Sequence, residues 1–231
     1  RYYAALAETA AAWMQTAEES AWLRRLDLDL PELRAALAWA CKEDVTLGVR
    51  LAIALRTFWV VRGYVHEGLA WFTALLSPAS PSSLVTAVQS ETALPHAIKA
   101  QALVAIALLL YRQAAYHDAL DLLHTGLDLH IANDDDVGAA LALNTIGVIA
   151  SRQGDLVVAQ DRLEASLAHA DAAGDICGKG LAMLNLAGVA WSRREYDRAQ
   201  QLYEEGLVFQ RAGGDLRQIA YSLQGLANVA Y

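Results

Sequence analysis

The chain of 231 residues is 55% apolar and 19% charged, and its formal net charge is −8. This much apolar material excludes a disordered chain, and the acidic balance argues against a nucleic-acid-binding surface, which needs a basic face. The longest uninterrupted apolar run, 102–111, is about half of the roughly 20 residues that a membrane-spanning helix needs. Ala and Leu are abundant and Pro occurs only four times, so the composition predicts an all-α protein.

The first 43 residues are predicted to form a helical adaptor that precedes the rest of the fold. Five of the six Trp residues lie in the first third of the chain, from Trp13 to Trp71, which predicts packing different from that of the later residues. Cys41 and Cys177 have no metal-type or redox-type partner nearby in the sequence. This isolation favours a reducing compartment, and we expect a cytoplasmic location.

From residue 44 the chain repeats, with a period of 40 residues in its later part. Ala173-Gly174-Asp175 returns as Gly213-Gly214-Asp215, and Ala119, Ala159 and Ala199 occupy one equivalent position. A loop insertion is predicted at 77–95, because this stretch holds three of the four prolines. The predicted units are 44–77, 95–136, 137–175, 176–215 and a truncated fifth unit, 216–231.

Each unit is predicted to form two antiparallel helices. In the unit 137–175, we expect helices over 138–152 and 156–172, with a turn between them. Gly174 suits the left-handed backbone that often follows a helix, and Asp175 is expected to cap the next helix. Two helices of this length cannot bury their apolar faces alone, so neighbouring units are expected to stack.

The repeat resembles a known family. The segments 145–147, 154–156 and 185–187, together with Tyr196 and Ala199, are similar to the tetratricopeptide repeat. The resemblance implies an α-α superhelix of antiparallel helix pairs, in which Tyr196 suits the wedge between units. The unit is longer than the roughly 34 residues usual for this family. In this length it resembles the long-repeat type of bacterial regulatory ATPases.

A second resemblance lies before the repeats. Residues 21–26, Ala-Trp-Leu-Arg-Arg-Leu, and the Leu/Ala-rich residues 33–40 look like a junction in STAND-class signal-transduction ATPases. That junction joins the nucleotide-binding and winged-helix parts to a repeat domain. The resemblance implies that this chain is the non-catalytic recognition part of a larger bacterial signalling ATPase or transcriptional regulator, whose other domains would be among its partners.

The motifs of an active site are absent or incomplete. Residues 177–181 lack the Gly spacing and hydroxyl of a phosphate-binding loop, and we interpret them as a turn into the next helix. His66-Glu67 has no second His four residues after His66, which excludes a zinc-protease helix. We therefore predict no catalytic residue and no cofactor.

Two clusters of residues that can bind metals each allow a metal interpretation and a structural one. His117, Asp121 and His124 share one helical face, which would suit a divalent metal and a metal-dependent enzyme. We favour a solvated face with helix-stabilising pairs. The run 134–136 would bind calcium only as part of a larger loop, and we favour a helix cap. No metal site is predicted.

Arg112 and Arg152 occupy equivalent positions near helix ends, with Arg62 and Arg193 within one residue of the same row. Such a row would bind carboxylates or phosphates, or would offset the helix dipoles. The tetratricopeptide resemblance implies that the first helix of each unit lines a concave groove. The candidate residues in this groove are Arg50, Gln101, Tyr111, Arg112, Asn144, Arg152, Trp191, Tyr221, Gln224 and Asn228.

These side chains would suit a protein or peptide partner, or a small effector such as a carbohydrate. Leu184 and Gly188 lie where the family's carboxylate clamp would place polar groups, which argues against chaperone tails as ligands. The final helix presents another surface. Its apolar residues are expected to be partly bare and to allow a homodimer. They are Leu216, Ile219, Leu223, Leu226 and Val229.

Overall fold

The structure is a computed structural model that describes residues 1–14, 16–76 and 94–230. These residues form twelve α-helices and no strand, which confirms the predicted all-α class. Each of these helices is too short or too polar to cross a membrane. The predicted insertion at 77–95 lies outside the described residues except for its last two. In chain order the helices are α1 (Tyr2–Trp13), α2 (Glu19–Leu28), α3 (Leu30–Glu43), α4 (Val45–Arg62), α5 (Val65–Leu76), α6 (His96–Arg112), α7 (Tyr116–Ala132), α8 (Asp136–Gln153), α9 (Leu156–Ala172), α10 (Ile176–Ser192), α11 (Tyr196–Gly213) and α12 (Leu216–Val229).

The helices belong to two compact units that divide near the end of α7. Unit 1 is Arg1–Leu129 and contains α1 to α6 and most of α7. Unit 2 begins at His130 and contains α8 to α12. The predicted boundary at 43/44 falls between α3 and α4, and it stays a prediction together with the boundaries of the repeats.

The 40-residue period appears directly in the helix starts. Helices α6, α8, α10 and α12 begin at positions 96, 136, 176 and 216, and α7, α9 and α11 begin at 116, 156 and 196. Ala119, Ala159 and Ala199 lie three residues after the latter starts, and each is completely buried. A small residue at this position allows the two helices of a pair to approach closely.

Small and hydroxylated residues show how closely α8 and α9 pack in unit 2. A Cβ added to Gly147 would lie only 2.7 Å from Cγ of Leu163, so a larger residue would force the helices apart. The buried hydroxyl of Ser166 donates a hydrogen bond to the carbonyl of Ala140 at 2.8 Å. The pair is therefore held by both apolar packing and a polar contact between its helices.

The helix ends follow local capping chemistry. Helix α9 spans the predicted residues, whereas α8 begins two residues earlier than expected. It does so because Asp135 caps it, accepting a hydrogen bond from the Gly138 N–H at 2.9 Å. This contact agrees with the capping interpretation of the acidic run 134–136.

The turn before α10 confirms one expectation and contradicts another. Gly174 has a φ of 65°, the left-handed backbone that was predicted. Asp175 makes no side-chain cap hydrogen bond, so its predicted capping role is wrong. Its carboxylate instead lies beside Gly178, where an added Cβ would be 2.4 Å from Oδ2.

In unit 1 the N-terminal helices are attached by buried apolar residues and ion pairs. Helix α1 buries Ala4, Ala7 and Ala10. Each of α1, α2 and α3 also forms one carboxylate–guanidinium pair with α4 or α5. The pairs are Glu8–Arg50, Asp27–Arg62 and Arg34–Glu67.

Aromatic packing in unit 2 differs from the sequence expectation. Tyr196, predicted to wedge between units, is 47% exposed at the start of α11. Tyr203, two turns later on the same helix, is buried among Ala187, Ala190 and Ala199. Tyr203 therefore fills the position where α11 packs against the neighbouring helices. Tyr196 lies seven residues earlier on the same side of the helix, but at its first residue, where it is exposed.

Candidate functional site: a groove in unit 2

Unit 2 contains a groove with a volume of about 490 Å³, formed mainly by the first helices α8, α10 and α12. Two residues of the second helices, Leu163 and Tyr203, complete its floor. The residues that the first helices contribute are Val148, Ser151, Arg152, Leu184, Asn185, Gly188, Tyr221, Gln224, Gly225 and Asn228.

The structure brings four of the predicted site residues together in this groove. They are Arg152, Tyr221, Gln224 and Asn228, which lie on α8 and α12. Asn144 is not among the residues that line the groove: it is 7% exposed, and its Oδ1 accepts a hydrogen bond from Nδ2 of Asn185 at 2.9 Å. This bond orients the Asn185 amide, which does line the groove.

Trp191 does not line the groove, although it lies on α10 and is 44% exposed. The remaining predicted residues belong to unit 1. Arg50 lines a smaller cavity of about 420 Å³ beside α1, where its guanidinium pairs with Glu8 at 2.7 Å. Gln101 and Arg112 are exposed, and the ring of Tyr111 lies 6.0 Å from that of Tyr116. A binding role for these residues stays a prediction.

The predicted row of guanidinium groups is partly used for internal contacts. Arg62 pairs with Asp27 on α2, and Arg193 pairs with Glu195 at 3.3 Å. Two members of the row therefore have carboxylate partners within the chain. Arg152 is the only Lys or Arg among the residues that line the unit 2 groove.

The groove is polar without being acidic. Among the described residues that line it there is no Asp or Glu, in contrast to the net charge of −8 of the whole chain. Its polar groups are the amides of Asn185, Gln224 and Asn228, two Tyr hydroxyls, one Ser hydroxyl and one guanidinium. Side-chain amides both donate and accept hydrogen bonds, so this lining suits a ligand that presents both N–H and C=O groups.

Two glycines give the groove its depth. A Cβ added to Gly188 would meet no atom within 4 Å, so this position opens into free space. At Gly225, an added Cβ would lie 2.3 Å from Cζ of Tyr203. The missing side chain therefore makes room for the Tyr203 ring beneath α12.

Sequence analysis missed Tyr203, Asn185 and Ser151 as groove residues. Tyr203 belongs to a second helix, whereas the family resemblance directs attention to first helices. One sequence signal was available: the position of Tyr203 is occupied by Leu163 in the preceding repeat, 40 residues earlier. Burial raises the pKa of Tyr203 above its ordinary value, so the phenol is protonated at neutral pH.

The other chemical motifs have ordinary surroundings. His117 Nε2 lies 3.7 Å from Asp121 Oδ2, and the His117 side chain is 91% exposed. Among the described residues, no group of three or more His, Cys, Asp or Glu could hold a metal ion. Residues 177–181 lie inside α10, because the helix already begins at Ile176. Their interpretation as a turn before that helix is therefore wrong.

Comparison with known proteins identifies the fold. No protein-family model matches the sequence, and no curated protein matches it. Among solved structures, the chain is similar to BtubC from P. vanneervenii, with 15% identity and a TM-score of 0.64 over 90% of this chain and 81% of that protein. It is also similar to aspartyl phosphate phosphatase F from Bacillus subtilis, with 10% identity and a TM-score of 0.72 over 95% of this chain and 55% of that protein.

A third similar structure carries the repeat type in its description. It is a Podosopora anserina protein of nearly identical TPR-like repeats, described as a kinesin light chain. The identity is 12% and the TM-score 0.61, over 91% of this chain and 96% of that protein. The chain therefore has a TPR-like helical-repeat fold, as the sequence resemblance implied.

Proposed function

We propose that the unit 2 groove binds an extended segment of a partner protein, so that the chain acts as a non-catalytic recognition module. The observation that carries this proposal is the lining of the groove, in which three side-chain amides lie among apolar side chains and none of the described residues carries a carboxylate. Amides complement the alternating N–H and C=O groups of an extended peptide backbone. The TPR-like fold of similar proteins supports a role in protein recognition.

The dimensions of the groove agree with such a ligand. Packed helices are separated by about 8–10 Å, so three successive first helices span on the order of 20 Å. An extended peptide rises about 3.3 Å per residue, and a segment of about six residues would cross all three helices. Apolar side chains of the segment would contact Val148 and Leu184, which lie between the polar groups.

Gly188 provides the test of this proposal. Gly188→Phe should fill the groove without disturbing the packing of α10, because a Cβ at this position meets no atom within 4 Å. We expect peptides selected from a phage-displayed library of random nonapeptides to bind the wild-type protein, and to bind Gly188→Phe at least about tenfold more weakly, measured by fluorescence anisotropy.

Two control variants separate blockage from misfolding. Gly188→Ala adds only a methyl group and should raise the free energy of unfolding by about 0.5–1 kcal/mol, since Ala favours a helix over Gly. Val208→Phe places the same bulky ring on an exposed position of α11 that does not line the groove. Equal affinity of Gly188→Phe and the wild type would contradict the proposed site.

A small effector is the second candidate ligand. The groove volume of about 490 Å³ falls within the range of about 300–1,000 Å³ that is typical of small-molecule sites. Calorimetric titration distinguishes the two candidates. Saturable heat with sugars or other metabolites, and none with the selected peptides, would favour the small effector.

We further propose that the chain belongs to a larger cytoplasmic protein, a STAND-class ATPase or transcriptional regulator. The support is the resemblance of residues 21–26 and 33–40 to the junction of that class. A full-length gene product that encodes a phosphate-binding loop before these residues would bear out the proposal. Binding to the groove would then shift the equilibrium between two states of the parent protein.

A further inference from the structure

The floor of the unit 2 groove holds a tyrosine whose ring is buried and whose hydroxyl is open to the groove. Tyr203 is only 7% exposed, and its hydroxyl makes no hydrogen bond to another described residue. The fully buried side-chain atoms without a partner belong instead to Gln210, Gln218 and Ser222, within the described residues. An accessible hydroxyl is solvated in the free protein, so a ligand that covers it must replace the hydrogen bond to solvent. The residue is also a lining residue of the groove, so the space next to it is open to a ligand.

Packing alone does not account for a tyrosine at this position. Leu163 occupies the equivalent position in the preceding 40-residue repeat and is completely buried. A ring in place of Leu requires the loss of a side chain on the facing helix, and position 225 is glycine. At this position an aliphatic side chain would be enough to fill the space between the helices, as Leu163 does in the preceding repeat. Tyr203 adds a hydroxyl there.

We infer that the hydroxyl of Tyr203 donates a hydrogen bond to an oxygen acceptor of the bound segment, and so determines which segments the groove accepts. This inference rests on the proposed function, because it requires a peptide ligand in the groove. The surrounding groups agree with an acceptor oxygen. None of the lining residues that the structure describes has a carboxylate to repel it, and the Asn228 and Gln224 amides offer further donors on the facing helix.

The protonation state of the phenol agrees with this role. Desolvation by burial raises the pKa of Tyr203, which keeps the O–H intact over the neutral range. The selectivity comes from the unpaired donor. A segment without an acceptor at this depth would bury the hydroxyl without a partner, whereas an acceptor removes that cost.

Tyr203→Phe tests the inference because it removes the hydroxyl and keeps the ring. We expect the peptide selected on the wild type to bind Tyr203→Phe about fivefold more weakly, the typical value of one net hydrogen bond. The urea midpoint of unfolding should not fall, because the hydroxyl has no partner in the free protein. Tyr196→Phe is the matched control, since Tyr196 lies outside the groove, and its affinity should equal that of the wild type.

The outcomes separate the inference from the proposed function. Peptides that bind Tyr203→Phe as tightly as the wild type would overturn the inference and leave the groove as the binding site. A fall in the unfolding midpoint of Tyr203→Phe would overturn it too, because the hydroxyl would then have a structural partner. If no selected peptide binds Gly188→Phe more weakly than it binds the wild type, the proposed function is overturned, and the inference with it.

The same peptide identifies the source of the acceptor. Each side chain of the selected peptide that carries an oxygen acceptor is replaced in turn by Ala, and affinity for wild type and Tyr203→Phe is measured again. Loss of the difference between the two proteins supports the inference with that side-chain oxygen as the acceptor. A difference that persists for every replacement supports it with a backbone carbonyl.

Discussion

Tyr203 and Gly225 form a matched pair between α11 and α12. Both differ from the residues 40 positions earlier in the repeat, which are Leu163 and Asn185. The structure shows that the two departures compensate each other, since the ring of Tyr203 fills the space that a side chain at position 225 would need. Sequence periodicity identifies each departure separately. It does not show that they meet, because the contact depends on how two helices pack.

Restoring a side chain at position 225 should therefore destabilise unit 2. For Gly225→Ala we expect a loss of about 1–3 kcal/mol in the free energy of unfolding, because the new methyl group overlaps the Tyr203 ring. Tyr203→Leu in the same variant should recover part of the loss, since Leu is shorter. Urea unfolding measures both effects, with Gly188→Ala as the control without a neighbour. A loss that Tyr203→Leu leaves unchanged would contradict the pairing.

Among the elements, α3 shows how charge attaches an N-terminal helix to the repeats. Arg34 donates two hydrogen bonds to Glu67 of α5, at 2.8 and 2.7 Å, and the indole of Trp71 donates a third at 3.3 Å. The hydrogen bonds from Arg34 lower the pKa of Glu67 below its ordinary value. A carboxylate with a depressed pKa in the folded state stabilises the fold above its unfolded pKa. That contribution is lost as the pH falls through the folded pKa.

Glu67→Gln should make the protein less stable at pH 7 by about 1 kcal/mol or less, a small value because the Arg34 side chain is 47% exposed. The difference from the wild type should be smaller at pH 3 than at pH 7, because the wild-type carboxyl becomes progressively protonated as the pH falls. Urea unfolding at the two pH values gives the comparison. Glu43→Gln serves as the control, since no ion pair of Glu43 occurs in the described structure. An equal difference at both pH values would exclude a charge effect.

At the scale of the molecule, α12 carries an exposed apolar surface in unit 2. Leu216 and Leu223 are 55% and 48% exposed, and Ile219 is partly buried. Leu226 and Val229 pack against the cluster around Tyr203. The predicted apolar strip is therefore divided. One side supports the groove, and the other faces solvent and retains the predicted capacity for self-association.

We expect the protein to self-associate reversibly through this strip, as a symmetric dimer. Leu216→Glu combined with Leu223→Glu should make it a monomer at every concentration, because a like-charged pair replaces the apolar contact. Sedimentation velocity over a range of concentrations measures the change. Val157→Glu on α9 is the control, since Val157 is 70% exposed and lies on another helix. A wild-type protein that stays monomeric at high concentration would overturn this prediction.

The sequence alone determined the helical class and the period of the later repeats. Both follow from local chemistry: apolar spacing, turn residues and small residues recur every 40 positions, and the helix starts keep that interval. It also placed Arg152, Tyr221, Gln224 and Asn228 on first helices, where the structure gathers them in one groove.

Only the tertiary structure decided which groups share a surface. Trp191 and Arg50 satisfy the same sequence criteria as the groove residues, yet one lies outside the groove and the other pairs with α1. Tyr203 fails those criteria, yet it forms the floor. The physical reason is that periodicity specifies the direction of a side chain around its own helix. Its neighbours depend on the volumes of residues far away in the chain, such as the glycine at position 225.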